Sequence, residues 1–111
     1  MSLNQNASLI DILIDCAAEC NQCITDCLAE QNAKEFARCI KLNIDCAAIC
    51  SLTAGFIARG SEHADHLLPE CAAICNACAE ECETHAHMEH CKACADVCRE
   101  CAEACMQMEL A

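Results

Sequence analysis

Cysteine recurs at steps of three and four residues through most of the chain, and this period limits the fold more than any other feature. The stretch "CKACADVCRECAEAC" holds Cys91, Cys94, Cys98, Cys101 and Cys105, with no glycine or proline among them. Cys16, Cys20, Cys23 and Cys27 follow the steps 4, 3, 4, and so do Cys71, Cys75, Cys78 and Cys82. A fourth segment carries Cys39, Cys46 and Cys50, with Asn43 at the position that would complete the same pattern. Such steps put residues on one face of an α-helix, the seam that points at a bundle axis. Four segments in one register predict four helices lined with sulfur on the inside.

The expected helices run from about Ser8 to Glu30, Ala33 to Arg59, Pro69 to Glu83 and Met88 to Met108. Ser8 with Asp11, and Asn32 with Glu35, are candidate amino-terminal caps. Gly60 is a candidate left-handed stop, and Pro69 a first helical residue. "SEHADHLLPE" could add a short helical turn before Pro69. Short connections make consecutive helices antiparallel neighbours. The fold class is therefore all-α, an antiparallel up-down-up-down four-helix bundle, with residues 1–111 as one domain.

Beyond the cysteines the stripes continue as ordinary core: Leu9, Leu13, Thr53, Ile57, Leu68 and Met108. Together with Ile10, Phe56 and Leu67 they form an apolar plug at one end. The other end collects Cys27, Cys39, Cys82 and Cys91 beside His85, His87, Met88 and His90, a candidate mouth for metal entry. Met106 and Met108 read as core, His63 and His66 as structural or surface residues, and Asn43 as a buried register device or hydrogen-bond partner.

Six basic against 18 acidic residues give a formal charge of −12. Phosphate contacts need basic clusters, so nucleic acid and anionic membrane surfaces are excluded as partners. The acidity reads as a solvated outer face. "MSLNQNASLIDILID" has no basic leader region or cleavage site, and no stretch is expected to span a membrane. The expected location is the cytoplasm, where thiols stay reduced. Helical neighbours three or four residues apart are too distant for local disulfides, although bridges between helices remain possible.

Cysteine fills a core less well than leucine, so a seam with 16 of them gives up packing for another purpose. Thiolates select Cu(I), zinc and iron–sulfur clusters. One straight helix cannot wrap four ligands around a zinc ion, whereas Cu(I) accepts two or three sulfurs. Seven CxxxC pairs are present: Cys16/Cys20, Cys23/Cys27, Cys46/Cys50, Cys71/Cys75, Cys78/Cys82, Cys94/Cys98 and Cys101/Cys105. Cys39 and Cys91 are left near the mouth. If each sulfur bridges two ions, the ratio approaches one Cu(I) per cysteine. Each Cu(I) that displaces one thiol proton leaves the net charge unchanged, which makes a copper–thiolate core tolerable.

"CAAECNQC" and "CAAICNAC" match the CxxxCxxC of radical SAM clusters, but the chain is too short for such an enzyme. No cysteine precedes proline, as ferredoxin runs do. A metallothionein lacks the apolar pattern that lets this chain fold without metal. Iron–sulfur or zinc binding, a thiol–disulfide redox buffer and a purely structural oligomer remain as alternatives. No nucleophile elbow, phosphate loop or HExxH helix appears, so an enzyme is not expected.

"AAICNACAEEC" followed by "HMEHCKACADVCRECAEAC" resembles the cysteine-rich four-helix-bundle copper storage proteins of the cytosolic branch, over about Cys16 to Cys105. The resemblance implies a preformed bundle that fills with many Cu(I) ions, assembled as a homotetramer; a copper chaperone or chelator is a candidate partner for loading and release. It makes all sixteen cysteines ligand candidates and puts His85, His87 and His90 at the open end. Asn43 departs from the all-cysteine stripe.

Overall fold

A computed structural model describes residues 3–108. Four helices carry the chain: α1 (Leu3–Leu28), α2 (Ala37–Ala58), α3 (Ala64–Glu83) and α4 (Glu89–Gln107). A four-residue 3₁₀ turn, Ala33–Phe36, leads into α2. Each helix packs against its two neighbours in a closed square, α1 on α2 and α4, and α3 on α2 and α4. The result is a rod of 47 × 18 × 17 Å.

Antiparallel order is visible in the side chains that meet. On α2 and α3, Cys39 meets Cys82, Cys46 meets Cys75, and Cys50 meets Cys71. On α1 and α4, Cys16 meets Cys98 and Cys23 meets His90. Index rises on one helix as it falls on its partner. The expected up-down-up-down bundle is therefore the observed one.

Several expected ends moved. Ser8 lies inside α1, which already begins at Leu3, so Ser8 caps nothing. Asn32 makes no side-chain cap; its amide donates to the Glu35 carboxylate at 2.8 Å. The following turn is 3₁₀, tightened by the Glu35 N–H bonding to the Asn32 carbonyl at 2.9 Å. Gly60 stops α2 as expected, at φ 66°. The Ser61 N–H reaches the Phe56 carbonyl and the Gly60 N–H reaches Ile57, the paired bonds of a Schellman motif.

Pro69 does not open α3 but lies five residues inside it. The helix starts earlier because Ser61 Oγ accepts the His63 N–H at 3.1 Å and Asp65 sits favourably in the first turn. The ring costs the bond to the Asp65 carbonyl, and both residues are exposed, so water can take that acceptor.

Against expectation, Ala33–Ala58 is long and apolar enough to cross a membrane, with mean hydropathy 1.4. In the bundle its inner face is core, carrying Cys39, Asn43, Cys46 and Cys50, all fully buried.

The plug forms largely as read. Leu9, Leu13, Thr53, Ile57 and Leu68 are buried at one end, with Ile10, Phe56 and Met108 packed against them. Leu67 is only half-buried and stands outside this cluster, and Met106 is two-thirds exposed (67%), because it falls one residue after the seam position Cys105. His63 and His66 are exposed surface residues at this end.

Candidate metal centre

All sixteen cysteines are free and buried, none more than 2% exposed. Their sulfurs run down the bundle axis as one array. The shortest approach is Cys39 to Cys82 at 3.4 Å. Across helices, Cys46 and Cys50 each lie 3.6 Å from Cys75, and Cys20 lies 3.7 Å from Cys98. Within a helix, Cys23–Cys27 and Cys94–Cys98 are 3.9 Å apart and Cys46–Cys50 is 4.0 Å apart. A disulfide needs about 2.0 Å, so these are thiol contacts. A metal–sulfur bond of about 2.3 Å lets one ion bridge two sulfurs up to about 4.6 Å apart, so the spacing suits bridging.

The sulfurs group into quartets whose members lie within 4.8 Å of one another. One holds Cys50, Cys71, Cys75 and Cys101; the next holds Cys16, Cys46, Cys50 and Cys75; then come Cys16, Cys20, Cys46 and Cys98, and Cys20, Cys78, Cys94 and Cys98. Consecutive quartets share sulfurs. The CxxxC pairs read along the sequence are thus not isolated, because facing helices bring sulfurs as close as one helix does. Such sharing is what a multinuclear soft-metal cluster requires.

Asn43 occupies the gap in the α2 stripe, fully buried. Its amide nitrogen donates to the Cys39 carbonyl at 2.8 Å and lies 3.4 Å from Cys39 Sγ and 3.6 Å from Cys82 Sγ. Its oxygen accepts from the thiols of Cys94 at 3.0 Å and Cys78 at 3.4 Å. One amide thereby ties α2, α3 and α4 together at one level of the core. Asn43→Ala should lower the stability of the metal-free bundle by about 1–3 kcal/mol, since it strands buried partners. Denaturant unfolding measures this, and an unchanged midpoint would mean the sulfur bonds contribute nothing.

At the end opposite the plug, the three candidate histidines separate. His90 Nδ1 lies 3.5 Å from Cys91 Sγ, 3.7 Å from Cys23 Sγ and 3.9 Å from Cys27 Sγ. His85 turns away, its Nε2 3.2 Å from Glu81 Oε2 and its ring 4.6 Å from Phe36. His87 is exposed. Among the described residues, His90 is the histidine in polar contact with sulfur. Two residues here escaped sequence reasoning. Phe36, 1% exposed, closes the end with its ring 6.4 Å from that of His90. Glu30 places Oε1 3.6 Å from His90 Nε2. Pairing the end of α1 with the start of α4 would have brought Glu30 into view.

Burial pushes the Cys91 thiol up to about 12, and the adjacent Cys27 charge adds to it. Burial raises Cys27 as well. Deeper in, contacts between sulfurs dominate: hydrogen bonds to Cys16 and Cys20 raise Cys98, and those to Cys101 and Cys16 raise Cys50. Cys71 moves down, stabilised by bonds from Cys101 and Cys105. An entering cation must displace the protons of these thiols.

Residues 2–110 match the family described as copper storage protein. The chain belongs to the copper storage protein family. It is 38% identical to the Cu(I)-bound copper storage protein BsCsp3, covering 96% of this chain and 99% of that one, with a TM-score of 0.90. A cytosolic copper storage protein from Streptomyces lividans, carrying five coppers, is 36% identical, with 94% and 91% covered and a TM-score of 0.90. An uncharacterized cysteine-rich protein of Bacillus subtilis (strain 168), YhjQ, is 41% identical over 84 residues, 76% of this chain and 77% of that protein. The sulfur array described above thus lies in a copper storage protein fold.

Proposed function

We propose that this protein stores Cu(I) in bulk, as one storage unit spanning residues 1–111, and so withholds the ion from reactive thiol and redox chemistry. The observation that carries the reading is the sharing of sulfurs between successive buried quartets. Cu(I) is the soft monovalent cation whose one-to-one loading keeps such a core neutral. The ligands are Cys16, Cys20, Cys23, Cys27, Cys39, Cys46, Cys50, Cys71, Cys75, Cys78, Cys82, Cys91, Cys94, Cys98, Cys101 and Cys105, with His90 at the open end. His85 and His87 assist entry there without a place in the array. The role is sequestration, not catalysis, and it operates in the cytoplasm, as for the cytosolic Streptomyces lividans protein.

The store assembles as a homo-oligomer, a tetramer by likeness to its family. Ile44 (51%) and Leu52 (47%) are exposed on α2, and Leu52 lines an apolar groove with Ala48, Ile49 and Ile74. A second copy of this chain would cover that face. A copper chaperone or chelator then exchanges copper at the mouth.

The test is an anaerobic titration of the fully reduced protein with Cu(I) against a chromophoric chelator, with helicity followed by circular dichroism. More than about ten equivalents per chain is the expected result, with full helicity before metal is added. Saturation at a few ions, or helix formation only on metal addition, would sink the proposal.

A further inference from the structure

The quartet at the mouth differs in chemistry from those inside. Cys23, Cys27, Cys91 and His90 lie mutually within 4.8 Å, three sulfurs and one imidazole nitrogen. The four interior quartets named above contain sulfur alone. We propose that the mouth quartet is a tetrahedral site for a divalent borderline cation, Zn²⁺, which stoppers the empty store until Cu(I) displaces it. The inference deepens the storage reading and rests on it.

The geometry fits. Bonds of about 2.3 Å to sulfur and about 2.0–2.1 Å to nitrogen give tetrahedral edges of about 3.8 Å between sulfurs and about 3.6 Å between sulfur and nitrogen. The Cys23–Cys27 edge is 3.9 Å. The edges from His90 Nδ1 are 3.5, 3.7 and 3.9 Å. Three cysteines and one histidine are a ligand set that zinc commonly takes.

The other side of the ring supports the assignment. His90 Nε2 is buried without a hydrogen-bond partner, and Glu30 Oε1 lies 3.6 Å from it. Coordination through Nδ1 puts the ring proton on Nε2, facing that carboxylate. A carboxylate behind a metal-bound histidine fixes the tautomer and orients the ring. A modest approach of Glu30 completes the contact.

Charge separates the mouth from the interior. Zn²⁺ entering the mouth displaces three thiol protons, from Cys23, Cys27 and Cys91, and takes the neutral His90 lone pair. The complex carries a charge of −1 at the end of the bundle, where the His90 side chain is 17% exposed. In an interior quartet the same ion would leave −2 among fully buried groups, which is costly. Cu(I) has no such penalty inside, so the two ions sort by position. Filling with copper expels zinc as the free dication, and Cu(I) takes over the mouth sulfurs.

The test uses the reduced, metal-free full chain under anaerobic conditions, with Co²⁺ as a spectroscopic stand-in for Zn²⁺. One equivalent of Co²⁺ should give the charge-transfer and intense ligand-field bands of a tetrahedral thiolate site, and one equivalent of Zn²⁺ should bleach them. Cys91→Ser should abolish the signal, His90→Ala should weaken binding by at least about tenfold, and Glu30→Gln should weaken it within the range of about 10–100-fold seen for partners behind a ligand. His63→Ala with His66→Ala, exposed at the far end, should leave the one-equivalent signal intact. Absence of binding, or binding that survives Cys91→Ser, overturns the proposal. Cu(I) capacity is counted on the same wild-type sample. A sample that stores Cu(I) but ignores Co²⁺ and Zn²⁺ refutes the stopper alone, whereas failure to take up Cu(I) refutes the storage reading. Cu(I) added to the zinc form should release one Zn²⁺ per chain to a zinc dye.

Discussion

Replacing Cys16, Cys46, Cys50 and Cys75 together by alanine should cut Cu(I) capacity by roughly half or more, far beyond the share of four sulfurs among sixteen. The physical reason is sharing. These four form one quartet, and two neighbouring quartets each borrow two of them. Three of the four named interior quartets are broken at once. If instead each CxxxC pair bound its own copper independently, the loss would be three ions, since the four residues fall in the pairs Cys16/Cys20, Cys46/Cys50 and Cys71/Cys75. Capacity by anaerobic titration decides between these outcomes. Each cysteine-to-alanine change also removes a buried sulfur at a cost of about 1 kcal/mol or more, so helicity must be checked first. Should the quadruple variant melt, the double variant Cys46→Ala with Cys75→Ala keeps the test open. Those two sulfurs are 3.6 Å apart, and between them they belong to the same three quartets.

Raising the pH should unfold the metal-free bundle, and copper should prevent it. Cys27 and Cys91 have raised pKa values because they are buried, and Cys91 stands at about 12 against an ordinary 9.0. Cys20, Cys50, Cys75 and Cys98 are raised by hydrogen bonds to neighbouring sulfurs and then by burial. A thiol raised in the folded state is neutral in both states below pH 9, so its contribution to stability is complete there. Above pH 9 these six thiols ionise in the unfolded chain but not in the folded one, and stability falls until the folded pKa is reached. Each such thiol costs about 1.4 kcal/mol per pH unit in that window. A domain stabilised by about 5–15 kcal/mol does not survive several of them for two units. Helicity of the apo protein should therefore collapse between pH 9 and about 12, the Cys91 value. The copper form, whose sulfurs hold metal in place of protons, should keep its helices. Apo helicity that persists unchanged to pH 12 would show that the thiols ionise inside the fold, and the buried-neutral account would fail.

The periodicity of cysteine was enough to determine the helices, their number and the face each turns inward. Steps of three and four leave no other regular structure that buries every sulfur on one side, and the short connections force antiparallel order. The plug was legible for the same reason, since Leu9, Leu13, Ile57 and Leu68 continue the stripes. Helix ends were less legible. Ser8 has the chemistry of a cap, but helix-forming residues precede it, and Pro69 is tolerated inside α3 because its lost bond faces water. Such outcomes depend on what surrounds a position, which local pattern does not encode.

Tertiary structure alone decided which sulfurs meet. Sequence offers pairs along a helix, whereas packing places Cys46 closer to Cys75 across the bundle than to Cys50 on its own helix. It also sorted the histidines. His85, His87 and His90 are equivalent in a sequence, yet only His90 enters helix α4 at a position that faces α1. His85 is drawn off by Glu81 and Phe36. Glu30 and Phe36 acquire their places from the meeting of α1, the 3₁₀ turn and α4, segments separated by many residues. Periodicity fixes the direction of a side chain about its own helix axis. The distance between two side chains on different helices is set by how those helices slide and rotate against each other, and this is settled only when the whole core packs.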